Sequence, residues 1–232
     1  MTITHAMVLA AGLGLRMRPI TLTLPKPLVP VAGRTMLDRV LDHLDLVDAG
    51  RRVINLHWLG ETIRSHLDGR HDIVFSEERE LLETGGGVAK ALPHLGAAPF
   101  FVCNADIIWT DGAEPALARL LRAYDPERMD GLLLLQPVET AFGYDGRGDF
   151  HLGADGRLTR RKQAETTPLL FAGVQILHPR LFEGNPGGKF SLNLLYDKAM
   201  ASDRLFGIVH DGRWYHIGTP SALTEAEALL EG

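Results

Sequence analysis

The stretch that decides the fold is a short apolar run followed by a glycine turn and two arginines, Ala6-Met7-Val8-Leu9-Ala10-Ala11-Gly12-Leu13-Gly14-Leu15-Arg16-Met17-Arg18-Pro19. An apolar run of this length that ends in glycines is typical of a buried parallel strand entering a loop. In open α/β sheets, the loop after the first strand lies at the carboxyl edge, where such folds bind ligands. The stretch therefore predicts both a fold class and the position of a site.

Strand and helix patterns alternate after this stretch. The expected strands lie at 53–56, 73–75, 100–103 and 132–135, and the expected helices at 36–47, 59–67, 88–92 and 115–124. Strands separated by helical crossovers form a mainly parallel sheet with helices on both faces. Beyond about residue 137 the pattern predicts a hairpin at 150–159, strands at 169–177 and 205–209, and helices at 191–201 and 221–230.

The 232 residues contain no linker-like low-complexity segment and no internal repeat. We therefore expect one α/β domain over 1–232, with a Rossmann-like, mainly parallel but mixed sheet. A nucleotide-binding half would cover about 1–136, and a second half about 137–232. The three tryptophans, Trp58, Trp109 and Trp214, are expected in the core or at sheet edges.

Composition narrows the class of protein. With 45% apolar and 23% charged residues, the chain is neither disordered nor a collagen nor a coiled coil. A net charge of −5 gives no basic field for a nucleic acid. The single cysteine, Cys103, excludes an internal disulfide framework and a cysteine-based zinc site, and it fits a reducing cytosol. No apolar stretch reaches the ~20 residues of a membrane span, and Met1–His5 lacks the basic start of a secretory signal, so a cytoplasmic protein is expected.

The glycine turn at Gly12–Gly14 lets backbone N–H groups approach phosphate oxygens. A dinucleotide fingerprint would need a glycine at Met17, and a P-loop would need Gly-Lys-Ser/Thr at 15–17, so neither motif is present. A tight turn with surface arginines is the alternative interpretation.

Three cations accompany this turn. They are Arg16, Arg18 and Lys26, and the last of these stands between Pro25 and Pro27. Prolines on both sides restrict the backbone and lower the entropy cost of holding the ammonium in place. Three cations around an amide-lined loop suit a triphosphate.

The segment from Leu9 to Gly33 closely resembles the signature of the sugar-1-phosphate nucleotidyltransferases. It reads Leu-Ala-Ala-Gly-x-Gly-x-Arg-Met-Arg-Pro and then Pro-Lys-Pro-Leu-Val-Pro-Val-Ala-Gly. The resemblance extends over nearly the whole chain, through Glu83–Gly87, Asn104–Asp106, Gly146–Phe150 and Trp214–Thr219. It implies a glycosyltransferase-A-like core that joins an NTP to a sugar 1-phosphate and releases pyrophosphate.

This resemblance implies that Arg16, Lys26 and Asp106 are the catalytic residues. Asp106 follows the apolar run 100–103, so it lies on the same rim as the first loop and is well placed to hold Mg²⁺. It matches the family's metal-binding aspartate, although Ala105 precedes it where glycine is usual. Both reactants are anions, so metal and Arg/Lys charges together with alignment would supply most of the rate without a protein nucleophile.

The resemblance assigns nucleotide contacts to two segments. The first loop would contribute Leu9, Ala11, Gly12 and Gly14. The segment Glu83–Gly87, placed just before the helix at 88–92, would offer exposed amides and a hydroxyl, with Thr84 and Gly85 contacting the base. A flexible glycine hinge is the alternative for this second segment.

The sugar side is carried by Gly146–Phe150, which resembles a loop of the N-acetylmuramate α-1-phosphate uridylyltransferases of bacterial cell-wall recycling. The residues expected to contact the sugar are Asn104, Gly146, Asp149 and Lys162. Related enzymes supply a lysine from a Glu-Lys-Pro motif, whereas this chain reads Lys162-Gln163-Ala164. A solvated hairpin tip is therefore the alternative for Arg160–Lys162.

His216 departs from the family pattern, because an aspartate that shares the metal with Asp106 usually stands there. A neutral imidazole is a poor substitute for a carboxylate on Mg²⁺. Asp106 alone could anchor Mg²⁺ with phosphate oxygens and water, while His216 binds a water or phosphate. Alternatively, His216 recruits a softer ion such as Mn²⁺ or Co²⁺, or metal binding is impaired. We expect Mg²⁺ as the cofactor, with Asp106 and His216 as its candidate ligands.

The expected function is that of a uridylyltransferase acting on UTP and an amino-sugar 1-phosphate, foremost N-acetylmuramate 1-phosphate. We expect no nucleic-acid or membrane partner, and a monomer or small homo-oligomer. A guanylyltransferase of the mannose-1-phosphate type is the alternative within catalysis, since base choice rests on few contacts. A non-catalytic nucleotide-sugar-binding regulator is the alternative outside it, and the presence of Arg16, Lys26 and Asp106 counts against that reading.

Overall fold

The computed structural model describes residues 2–231. Its strands are β1 His5–Leu9, β2 Pro30–Val31, β3 Arg34–Thr35, β4 Arg51–Leu56, β5 Ile73–Glu77, β6 Phe100–Asn104, β7 Ile107–Trp109, β8 Gly131–Pro137, β9 Ala141–Phe142, β10 Phe150–Leu152, β11 Leu158–Arg160, β12 Leu169–Leu177, β13 Leu205–Val209 and β14 Trp214–His216. Its helices are α1 Met36–Asp45, α2 Gly60–His66, α3 Glu83–Leu95, α4 Ala116–Ala123, α5 Leu192–Ala201 and α6 Pro220–Glu231.

A nine-stranded mixed sheet organises the chain. Seven strands follow the order β11-β10-β12-β6-β1-β4-β5, and β8 pairs with both β12 and β13. Strands β6, β1, β4 and β5 are parallel to one another, whereas β12 is antiparallel to β6 and β8. The expected α/β fold with a mixed sheet is confirmed. Because β12 lies between β6 and β8, strands from both parts of the sequence share this sheet.

The apolar runs of the central strands are continuous because both faces of the sheet are covered. In β6, Phe101 and Cys103 face the core beneath α1, α2 and α4, while Phe100 and Val102 face the core beneath α3 and α5. Alternate residues of a strand point to opposite faces, so a strand buried on both sides must be apolar at every position. This is the physical reason why the sequence pattern located these strands.

Helix α1 shows how local sequence places a helix on the sheet. The Thr35 hydroxyl accepts a hydrogen bond from the Asp38 amide at 3.0 Å, as a helix N-cap does. Leu37, Val40 and Leu44 form a fully buried face, and burying each such side chain stabilises the fold by about 1.5–3 kcal/mol. The expected helix at 36–47 therefore exists, but it ends at Asp45.

A second, three-stranded sheet with the order β7-β14-β9 was not predicted. Its strands have two or three residues each, too short for a periodic signal, yet β14 pairs with β7 so that His216 lies opposite Ile107. Trp109 and Trp214 are buried in this sheet, as expected. The expectation was wrong for Trp58, which is 38% exposed and whose indole N–H donates to the Thr21 carbonyl.

None of the helices described between residues 2 and 231 has the length and apolar character needed to cross a membrane.

Candidate active site

A cleft of about 510 Å³ opens at the carboxyl edge of β1, β4 and β6. The first-strand loop forms one wall, and the segment leading into α3 forms the opposite wall. The predicted site residues that line the cleft are Leu9, Ala11, Gly12, Gly14, Arg16, Lys26, Thr84, Asn104 and Asp106. Gly85, Gly146, Asp149, Lys162 and His216 are not part of its lining. Ligand binding at this edge fits an open α/β sheet.

Lys26 and Asp106 form an ion pair at the base of the cleft. Lys26, which stands between two prolines, is the first residue of a short 3₁₀ turn and is 7% exposed. Its Nζ donates a hydrogen bond to Asp106 Oδ2 at 2.9 Å. Burial by itself raises the pKa of Asp106, but the charge and hydrogen bond of Lys26, with smaller contributions from His216 and Arg16, bring this pKa below its ordinary value. Asp106 is thus an ionised carboxylate at neutral pH, and only its Oδ2 is engaged by the lysine.

Arg16 and His216 form a second contact beside this pair. Arg16 lies in the 3₁₀ turn Leu15–Met17, and its Nη2–H donates to His216 Nε2 at 3.0 Å. Burial, followed by the nearby ammonium of Lys26, lowers the pKa of His216 below its ordinary value. The imidazole is therefore neutral at pH 7, which leaves Nε2 free to accept from the guanidinium. Pairing of β14 with β7 places His216 close enough to Asp106 for the two side chains to interact electrostatically.

The site offers one residue, Asp106, whose side chain is suited to bind a magnesium ion. Among residues 2–231 no group of three or more His, Cys, Asp or Glu side chains is arranged to hold a metal. Mg²⁺ is commonly bound by one or two carboxylates together with substrate phosphates, so Asp106 alone suits it. His216 Nε2 accepts a hydrogen bond from Arg16. Metal ligation by His216 stays a prediction. In the structure, its side chain contacts Arg16.

The segment Glu83–Gly87 is the first turn of α3, so the expected loop ahead of a helix at 88–92 is wrong. The amides of Gly85 and Gly86 donate to the Phe190 carbonyl at 2.9 and 3.0 Å, and the Thr84 hydroxyl accepts from the Leu192 amide. The expectation of exposed amides is therefore wrong at these two glycines, because the chain before α5 caps the helix. Contact between Thr84 and a nucleotide stays a prediction.

Comparisons with known proteins identify the family of this chain. The sequence model of the MobA-like NTP transferase domain matches residues 6–144, more than half of the chain. The chain belongs to this family. It is 42% identical to the N-acetylmuramate alpha-1-phosphate uridylyltransferase of Caulobacter vibrioides, over 97% of this chain and 96% of that protein. It is 39% identical to the protein of the same name from Neisseria meningitidis serogroup B, over 97% of each.

The fold agrees with that of a solved nucleotidyltransferase. The crystal structure of UDP-glucose pyrophosphorylase complexed with UDP-glucose matches with a TM-score of 0.82, over 99% of both chains and at 17% identity. The predicted membership of the nucleotidyltransferases, and with it the prediction of an enzyme, is confirmed.

Of the four predicted sugar contacts of this nucleotidyltransferase, Asn104 alone lines the cleft. Asn104 ends β6 and lines the cleft. Asp149 Oδ2 accepts from the Phe171 amide at 2.9 Å, which ties its loop to β12. Lys162 is exposed, and its backbone N–H donates to Glu165 in the turn after the hairpin. Gly146 is exposed beside the Tyr144 ring. Roles for all four toward the sugar stay predictions.

Two polar residues of the nucleotidyltransferase cleft were missed from the sequence. Asn55 and Glu78 line the cleft and are 3% and 5% exposed. Asn55 belongs to β4, and Glu78 directly follows β5. A polar residue within a buried apolar strand near the carboxyl edge is a signal that could have found Asn55.

Proposed function

We propose that this enzyme is a uridylyltransferase that joins UTP to N-acetylmuramate α-1-phosphate and releases pyrophosphate. The observation that carries the proposal is the pair of full-length relatives, 42% and 39% identical, that bear this activity in their names. The cleft supports it, because two cations and one carboxylate converge beside an amide-lined loop.

In the proposed reaction, an oxygen of the sugar phosphate attacks the α-phosphorus of UTP. A new P–O bond forms, the bond between the α-phosphorus and the bridging oxygen breaks, and pyrophosphate leaves with the electron pair. No protein nucleophile is needed, so the chain contributes alignment and charge. Arg16 and Lys26 would donate charge-assisted hydrogen bonds that strengthen as negative charge builds on the phosphate oxygens.

Asp106 would hold the Mg²⁺ ion, which when bound neutralises phosphate charge and orients the triphosphate. Its ion pair with Lys26 keeps the carboxylate ionised and aimed at the cleft. We propose that His216 accepts from Arg16 and fixes the direction of that guanidinium. The site would then work with one protein carboxylate on the metal.

We further propose that residues 1–232 act as one nucleotidyltransferase domain, with a nucleotide half at about 1–136 and a sugar half at about 137–232. The product would feed peptidoglycan recycling in the cytoplasm. The enzyme would act as a monomer or small homo-oligomer. The single-domain proposal rests on the lack of a linker-like segment or repeat in the sequence, and the place in peptidoglycan recycling rests on the proposed substrates.

The test is a matrix of pyrophosphate-release assays with Mg²⁺. Each of UTP, GTP, CTP and dTTP is combined with the 1-phosphates of N-acetylmuramate, N-acetylglucosamine, glucose and mannose. We expect the highest kcat/KM for UTP with N-acetylmuramate 1-phosphate, by about tenfold or more over any other combination. The highest value for GTP with mannose 1-phosphate would instead establish the guanylyltransferase alternative.

A further inference from the structure

The cleft contains a buried carboxylate that no cation accompanies. Glu78 is 5% exposed, and no ion pair within residues 2–231 includes it. Burying a carboxylate without a countercharge costs free energy, and hydrogen bonds to its oxygens must offset that cost. The groups that donate hydrogen bonds to Glu78 therefore indicate what this buried side chain does at the cleft.

Glu78 is the centre of a chain of hydrogen bonds that joins the two walls of the cleft. The Ala10 amide donates to Asn55 Oδ1 at 2.7 Å, and Asn55 Nδ2 donates to Glu78 Oε1 at 2.7 Å. The other carboxylate oxygen, Oε2, accepts from the Leu82 amide at 2.9 Å. Both ends of the chain are backbone amides, one at the start of the first-strand loop and one at the entrance to α3.

The residues next to Asn55 and Glu78 leave room for this hydrogen bond and include a strained backbone position. A Cβ added to Gly87 would lie 2.8 Å from Glu78 Oε1 and 3.0 Å from Asn55 Nδ2, so the absence of a side chain there makes room for both. Just after Leu82, Glu83 has a φ of +60°, a left-handed conformation that is strained for a residue other than glycine. Both Glu83 and Thr84 line the cleft. The bond to Leu82 thus restrains the backbone at the point where this wall is strained.

We propose that Asn55 and Glu78 are positioning residues that set the distance between the first-strand loop and the Leu81–Thr84 wall for a bound nucleoside triphosphate. The inference rests on the proposed function only in that the cleft must bind an NTP. The pair acts through the backbone at Ala10 and Leu82. It aligns groups that contact the nucleotide, so its loss weakens nucleotide binding more than it slows the reaction of bound nucleotide.

The donor and acceptor directions of these hydrogen bonds offer a decisive test. In Glu78→Gln, an amide nitrogen must face either Asn55 Nδ2 or the Leu82 N–H, which leaves one donor opposite a donor. In Asn55→Asp, two carboxylates face each other. The double variant N55D/E78Q reverses the middle bond, because the new glutamine donates to the new aspartate while the Ala10 and Leu82 amides keep their acceptors.

The experiment measures the affinity for UTP with Mg²⁺ by calorimetry, kcat and KM at saturating sugar 1-phosphate, and Tm. We expect each single variant to bind UTP about tenfold more weakly with kcat within about threefold, and the double variant to recover to within about threefold of wild type. Tyr196→Phe is the matched control, since it breaks a buried hydrogen bond to Gln175 away from the cleft. It should lower Tm and leave the UTP affinity unchanged.

Three results would overturn the proposal. They are wild-type UTP affinity in both single variants, a double variant that binds as weakly as Glu78→Gln, and a wild-type protein that binds no NTP. The second result would mean that the Glu78 carboxylate acts on the ligand directly. A wild type that binds UTP with this pattern of rescue but turns over no substrate pair would overturn the proposed function and support this inference.

Discussion

Two glycine-rich segments, Gly12–Gly14 and Glu83–Gly87, border the same cleft, but their glycines have different surroundings. At Gly12 a Cβ would meet nothing within 4 Å, so the backbone there is open to a ligand. At Gly86 a Cβ would lie 2.2 Å from the Gly188 carbonyl oxygen, and the amide already donates to Phe190. Glycine in the first-strand loop thus gives access from outside, whereas glycine at the start of α3 lets another part of the protein pack closely.

The difference shows that a glycine motif indicates close approach without saying what approaches. The first segment has two cations and a carboxylate within reach, and these groups make it the chemical side of the cleft. The second has Phe190 and Gly188 against it, which makes it a rigid wall. Substitutions on the first side should therefore alter rates, and substitutions on the second should alter stability.

The largest effect is expected for Asp106→Asn, which removes the carboxylate that we propose holds Mg²⁺. Turnover should fall by at least ~1,000-fold, because the ion's charge stabilisation is lost and Lys26 loses its countercharge. His216→Ala should cost only about tenfold, since it removes an acceptor for Arg16. Initial rates titrated with Mg²⁺ and with Mn²⁺ check both variants.

This prediction also decides the role of His216. If His216→Ala weakens Mg²⁺ binding in the presence of UTP as much as Asp106→Asn does, the histidine is a metal ligand. Activity of the wild type with Mn²⁺ alone would lead to the same conclusion. Either result would remove the single-carboxylate arrangement proposed for the first-strand side.

The next effect is expected for Arg16→Ala and Lys26→Ala. Each should lower kcat/KM by at least ~100-fold, or about 2.7 kcal/mol, because each loses a charge-assisted hydrogen bond that strengthens in the transition state. Steady-state rates of pyrophosphate release measure it. Arg122→Ala is the control, since Arg122 is exposed and paired with Glu114 on the surface. Near-normal rates in both variants would contradict the division between the two sides.

Much of the fold could be predicted because each central strand carries its own signal. A strand buried on both faces must be a continuous apolar run, and the limits of β12 and β13 at 169–177 and 205–209 agree with the structure. The small sheet of β7, β14 and β9 could not be predicted, since its strands are too short for periodicity. That sheet is what brings His216 toward Asp106.

The candidate site was predictable only in part, for a related reason. Gly12 and Asp106 stand next to predicted strand ends, and Arg16 and Lys26 follow in the segment after the first strand, so the carboxyl edge of the sheet was the expected place for all four. The Gly85 amide donates its hydrogen bond to the carbonyl of Phe190, more than a hundred residues away in the sequence. A local pattern carries no information on such a partner.

The comparison between the two glycine segments is tested directly by Gly86→Ala and Gly12→Ala. Gly86→Ala should destabilise the protein by about 1–3 kcal/mol, because its methyl group must displace the Gly188 carbonyl. Gly12→Ala should leave Tm within about 2 °C of wild type, yet lower kcat/KM by about tenfold by crowding the triphosphate. Thermal melts and rates on both variants check this, and a Tm loss for Gly12→Ala larger than that for Gly86→Ala would reverse the assignment.

The smallest effect on catalysis is expected for Asp149, which belongs to neither glycine segment and tests whether the comparison needs a third, sugar-facing region. Asp149→Ala leaves the Phe171 amide without its acceptor, so the 146–149 loop loses its tie to β12. The KM for sugar 1-phosphate should rise about fivefold, while the KM for UTP stays within about twofold. Asp149→Asn keeps an acceptor oxygen for Phe171 and should restore most of the loss if the residue acts through loop shape. Equal rises in both KM values for Asp149→Ala would show that this loop supports the whole site and has no separate sugar-binding role, since a loop that faces the sugar cannot change UTP binding to the same extent.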